Sequence, residues 1–167
     1  MDTKIEIQQL FKFRKSWMKK KAHRVVILMN EVINSDEFRD RVNGFDFKDR
    51  RYKASPTSEV REITDNKEIY ELLKKGNEQY SDSGNDYLWR LKIKLGRGLR
   101  QVGRREKDLI ITQNWFLKRS NNDHSVAAHW FHEYCHVLGF MHDYKDTDIR
   151  PFSIPYAVGD IVEDLLK

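Results

Sequence analysis

The sequence predicts an α+β fold, and three patterns point to it. Apolar side chains recur at three- and four-residue steps from Ala22 to Val42, the period of a buried helix face. Between Leu88 and Leu95, Trp89, Leu91, Ile93 and Leu95 alternate with Arg90, Lys92 and Lys94, the period of a strand with one wet face. A last stripe, Val158, Ile161, Val162, Leu165 and Leu166, describes a C-terminal helix. At 167 residues the chain suits one domain with a real core.

Each element has a local cause. The first helix is expected to run from Ala22 to Val42 and to fray before Gly44. Residues 44–62 are polar and carry Pro56, so they read as a connection, with a short strand near Val60 to Ile63. Asp65-Asn66-Lys67-Glu68 is a capping box opening a helix through Leu73, and Gly76 closes it. Ser81 to Asp86 is a turn of Asx and Gly type. The strand from Leu88 ends at the turn Gly96-Arg97-Gly98, and a second strand, rich in Ile and aromatics, spans Asp108 to Phe116. Asn121 to Ser125 is a loop ending in an N-cap, with Asp123 or Ser125 starting the next helix. Arg150-Pro151 and Ile154-Pro155 mark turns before the last helix.

The most informative segment is His132-Glu133-Tyr134-Cys135-His136-Val137-Leu138-Gly139-Phe140-Met141-His142, which reads HExxHxxGxxH. On a helix advancing about 100° per residue, His132 and His136 lie one turn apart on one face and can converge on one ion. Gly139 tolerates the left-handed turn that ends the helix and swings His142 back as a third ligand. Three protein nitrogens leave a fourth tetrahedral position open, the mark of a catalytic zinc site. Glu133 flanks the ligand face, where a general base belongs. The bland alternative is a helix that happens to carry histidines. His129, one turn before His132, reads as a non-ligand, since the trio is complete without it. Cys135, the only cysteine, reads as core packing, although a thiolate is a competent ligand.

These eleven residues resemble the metzincin clan of zinc endopeptidases, and Asp143 stands at the clan's family-specific position. The resemblance implies a metzincin-like zincin fold, with a twisted mixed sheet, two long helices and a small C-terminal lobe. It implies an upper lobe over residues 1–139 and a lower lobe over 140–167. It also implies a turn beneath the metal, usually built around a methionine. Here Phe152-Ser153-Ile154-Pro155-Tyr156 is its counterpart, with Pro155 in the methionine's place, so Pro155, Ile154 or Met141 would form the apolar base. By the same resemblance, residues Gly96 to Lys107 would rim the substrate cleft, and Tyr156 or Tyr144 would stabilise the transition state. The implied activity is peptide-bond hydrolysis with one Zn²⁺ ion held by His132, His136 and His142, and Glu133 as base. The alternatives are a zinc-binding interaction or packaging protein without turnover, and a zinc amidohydrolase acting on a non-protein amide.

The formal charge of +5 is mild but uneven. Residues 1 to 24 form a basic arm, and Arg90 to Lys107 form a second basic cluster opposed only by Glu106. Both read first as solvated faces. The sharper readings are an acidic peptide substrate, or docking to nucleic acid or another anionic partner, and the pattern does not commit to nucleic acid. No apolar run precedes the charged start and no segment approaches a membrane span, so no signal peptide and no membrane partner are expected. The expected setting is cytoplasmic or virion-associated.

Overall fold

Alternating apolar residues build a four-stranded mixed sheet, which apolar helix faces cover. The computed structural model describes residues 1–81 and 87–167. Strand β1 (Lys4–Phe11) is followed by helix α1 (Ser16–Ile33) and helix α2 (Asp36–Gly44). The two-residue strands β2 (Arg51–Tyr52) and β3 (Arg61–Glu62) pair antiparallel, and α3 (Asn66–Lys75) follows. Strand β4 (Leu88–Gly96), strand β5 (Gly103–Glu106) and strand β6 (Leu109–Gln113) complete the sheet. Helix α4 (Asn114–Leu117), helix α5 (Asp123–Leu138), a 3₁₀ turn (Arg150–Phe152) and helix α6 (Ile154–Leu165) finish the chain. The sheet order is β1-β4-β6-β5, with β1, β4 and β6 parallel and β5 antiparallel on one edge.

The fold is thus mixed α+β, and several boundaries differ from the sequence reading. The stretch read as one helix from Ala22 to Val42 is two. Ser35 accepts a hydrogen bond from the Phe38 N–H and so caps a new helix. The basic arm contains a strand, β1, where none was expected. Its outer edge meets side chains in place of another strand. Asn30 accepts from the Ile5 N–H at 2.7 Å and donates to the Ile5 carbonyl at 2.8 Å, and Asn34 does the same for Thr3. Two amides one helical turn apart therefore close a sheet edge. The strand expected from Asp108 to Phe116 stops at Gln113, and residues 114–117 turn into α4. Of the turn expected at Ser81 to Asp86, residues 82–86 lie outside the described residues.

The expectations for the inward face of β4 and for the two ends of α3 hold. Trp89, Leu91, Ile93 and Leu95 of β4 are buried while their neighbours are half exposed. Asp65 caps α3 by accepting from the Lys67 N–H, and Gly76 ends it at φ +68°. Glu68 does not close the reciprocal half of the capping box, because it pairs with Arg61 at 2.5 Å. The core centres on Trp89, which stacks on Tyr134 at 4.3 Å and donates its indole N–H to the Leu73 carbonyl. Among the described residues, no helix is long and apolar enough to cross a membrane.

Removing the Asn30 amide leaves the Ile5 N–H and C=O without their partner. Asn30→Ala should lower the free energy of unfolding by about 1–3 kcal/mol. Urea denaturation followed by tryptophan fluorescence measures this, and an unchanged midpoint would show that water replaces the amide at no cost.

Candidate metal centre

Three fixings position helix α5. Lys21, read from sequence as part of a solvated arm, is buried, and it donates to the Arg119 carbonyl and to Asn122 Oδ1. Helix α5 starts at Asp123, one of the two starts expected, and Asn122 stands at the capping position, with its amide also donating to the Phe116 carbonyl. On the next turns, the buried Trp130 donates to Thr112 Oγ1 of β6 at 2.9 Å. Helix α5 is thereby tied to α1, α4 and the sheet. At its far end Gly139 takes φ +110°, and a Cβ there would stand 2.1 Å from the Lys53 carbonyl oxygen. Only glycine fits both the left-handed backbone and that approach.

Past Gly139 the chain pairs with residues 51–53. The Lys53 N–H donates to the Gly139 carbonyl at 2.9 Å, and the Met141 N–H donates to the Arg51 carbonyl at 3.1 Å. The same segment, a few residues earlier, holds the start of α6. The Lys48 N–H donates to the Phe152 carbonyl, and the Ile154 N–H to the Asp49 carbonyl. The connection read as a plain polar link is therefore a strut gripping both loops of the site. The strut's side chains add to this. Arg51 lies fork-on to the buried Asp49, at 2.9 and 2.6 Å, and the same guanidinium reaches Asp143 at 2.7 Å. Hydrogen bonding to Arg51 holds the Asp143 carboxyl below its usual range.

This scaffold brings His132, His136 and His142 together. Among the described residues they are the one group of three metal-ligating side chains whose donor atoms all lie within 4.8 Å of one another. His136 Nδ1–H donates to the Phe140 carbonyl and His142 Nδ1–H to the Asp143 carbonyl, each at 2.8 Å. Carbonyls can only accept, so both Nε2 atoms carry lone pairs. Those atoms face each other at 3.1 Å. Two bare lone pairs at that range repel, whereas ligands spanning a tetrahedral ion with bonds of about 2.0–2.1 Å would stand about 3.3 Å apart. The donor set therefore fits a metal such as zinc. Burial also keeps the three imidazoles neutral. It drives His132 well below its ordinary pKa, His136 down to about 3, and His142 down as well, with mutual repulsion adding to the effect on each of the first two.

Glu133 lies beside the trio, and burial raises its carboxyl to about 7 against the opposing pull of Arg105. His129 is not in the trio. It is buried behind Glu133, Nδ1 to Oε1 at 3.7 Å, and its own pKa falls to about 4 through burial. Cys135 is fully buried in the core, and burial pushes its thiol up. Tyr156 packs edge-on to His132 at 4.5 Å and lies 4.9 Å from His142. The segment after Ser153 thus lies against the histidines as expected: the Tyr156 ring packs on His132 and His142, the Pro155 backbone carbonyl accepts a hydrogen bond from His132, and Ile154 and Pro155 are buried. Tyr144 lines the mouth of the cleft and is 95% exposed.

The trio opens into a cleft of about 820 Å³. One wall is Gln101 to Arg105, including β5, within the Gly96 to Lys107 span expected to rim it. The opposite wall carries Asp160 and Glu163 of α6. Gly103 abuts His129, since a Cβ there would stand 2.5 Å from its Nε2. Sequence reasoning missed Asp49, Arg51, Lys21, Asp160 and Glu163, whose roles exist only through tertiary contact. Compared with protein-family models, curated proteins and solved structures, the chain matches none of them.

If the Arg51 fork aims the loop bearing His142, Arg51→Met should weaken zinc affinity about 10- to 100-fold while leaving the fold intact. Competition against a chelating dye reads this directly. An unchanged affinity would show that backbone pairing alone orients His142.

Proposed function

We propose that this chain is a zinc-dependent endopeptidase of metzincin-like type. The observation that carries the reading is the convergence of three neutral imidazoles beside the Glu133 carboxylate, on the floor of a cleft walled by a sheet edge. His132, His136 and His142 would hold the ion. When bound, zinc supplies Lewis acidity and brings the pKa of water to about 7.

The remaining work falls to the chain's own residues. Strand β5 pairs with β6 on one side only, so its other edge offers N–H and C=O groups to an extended peptide. Such pairing would lay the scissile amide across the floor. Glu133 Oε would take a proton from the attacking water as the C–O bond forms, and return it to the amine nitrogen as the C–N bond breaks. The Tyr156 hydroxyl is the nearer of the two tyrosine candidates for the developing oxyanion, because its ring touches two of the histidines. Arg105, the half-buried cation whose field reaches Glu133, favours acidic side chains in the substrate.

Digestion of a peptide library by the zinc-loaded protein tests this reading. Cleavage should stop with a chelator, and Glu133→Gln should reduce it at least about 100-fold while retaining one zinc per chain. Zinc uptake with no cleavage of any peptide by the unaltered protein would sink the assignment and favour a binding role.

A further inference from the structure

Strands β1, β4 and β6 run parallel, so their carboxyl ends lie together, at Phe11, Gly96 and Gln113. The crevice beyond such ends is where open parallel sheets take ligands, above all where a strand leads through a short loop into a helix N-terminus. Here β1 leads through residues 12–15 into α1. A cavity of about 220 Å³ lies at that place, apart from the histidine cleft.

Its lining is cationic. Lys12, Arg14 and Lys15 come from the loop after β1, Arg97 from the turn after β4, and Lys118 from the end of α4. No carboxylate lines the cavity, and none of the five forms an ion pair among the described residues. The end of α1 adds to the positive field. Lys15 occupies the capping position without a side-chain hydrogen bond, and the first turn holds no acidic residue, the reverse of what a helix N-terminus favours. The walls are also fixed. Lys12 is held at φ +66°, and Gln113, itself buried, accepts from the Gly98 N–H at 2.5 Å and so anchors the turn that carries Arg97. Met18 and Leu95 form a buried floor. Five unpaired cations around one hollow repel each other and the positive helix end, and an anion seated there would relieve both costs.

We propose that this cavity binds a phosphate group. Phe11 and Trp17, 42% and 41% exposed, flank the lining loop in sequence without lining the cavity, and part-exposed aromatic rings beside a cationic hollow are the groups base stacking uses. A phosphodiester of single-stranded nucleic acid is therefore the favoured source over free phosphate. The inference is independent of the hydrolytic reading of the histidine centre.

The test is titration of the whole chain with a fluorescein-labelled oligothymidylate and, separately, with inorganic phosphate. Lys15→Glu/Lys118→Glu should weaken binding at least about 10-fold and flatten its salt dependence. The control Lys48→Glu/Lys67→Glu changes the net charge equally at two lysines that do not line the cavity, and it should have little effect. Binding of the oligonucleotide with this pattern assigns the phosphodiester source, and binding of phosphate alone with this pattern assigns the free anion. Absence of binding to either, or equal weakening by both variant pairs, would overturn the proposal.

Discussion

The site depends on the backbone pairing of residues 48–53 with two segments distant in sequence. A helix can align His132 with His136, but it cannot place a third histidine that lies beyond its own end. That placement comes from the hydrogen bonds joining Arg51 and Lys53 to Met141 and Gly139, while Lys48 and Asp49 hold Phe152 and Ile154. One short extended stretch thereby fixes both the loop with His142 and the start of the helix with Tyr156. Arg51 repeats the connection in side chains, its one guanidinium bridging Asp49 and Asp143. Gly139 is where this arrangement is tightest, since the Lys53 carbonyl fills the space a side chain would need.

What could be seen in the sequence follows from what leaves a local trace. The trio and Glu133 were legible because helical spacing and ligand chemistry are written into adjacent residues. So were the inward face of β4, the αL caps at Gly76 and Gly139, and the cap at Asp65. The strut was not, because main-chain hydrogen bonds can be made by almost any residue and residues 44–62 carry no periodicity. The edge strand β1 was hidden for a related reason: its sequence is half exposed on both faces, and its outer partners are amides on α1. The break at Ser35 is a case of local chemistry overridden by a longer apolar rhythm, since Phe38 and Val42 continue the spacing while the chain turns.

Charge, too, divides in ways that composition does not disclose. The cations counted as one arm have separate fates: Lys21 is buried and anchors the motif helix, whereas Lys12, Arg14 and Lys15 gather around a hollow. In the second cluster Lys92 pairs with Asp108 and Arg104 with Glu106, while Arg97 turns to the same hollow and Arg105 to the histidine cleft. Burial, not charge, dominates at the histidine centre itself, where it lowers the pKa of the His132 and His136 imidazoles and raises that of the Glu133 carboxyl to about 7.

The sole thiol of the chain sits between two of the converging histidines in sequence, on the inward side of their helix, with no solvent contact. Alkylating reagents and oxidants can reach it only when that helix leaves its bed. Cys135 is therefore a silent reporter: its capture by a maleimide keeps time with the opening of the segment that carries His132 and His136, and an intact fold needs no reductant to protect it.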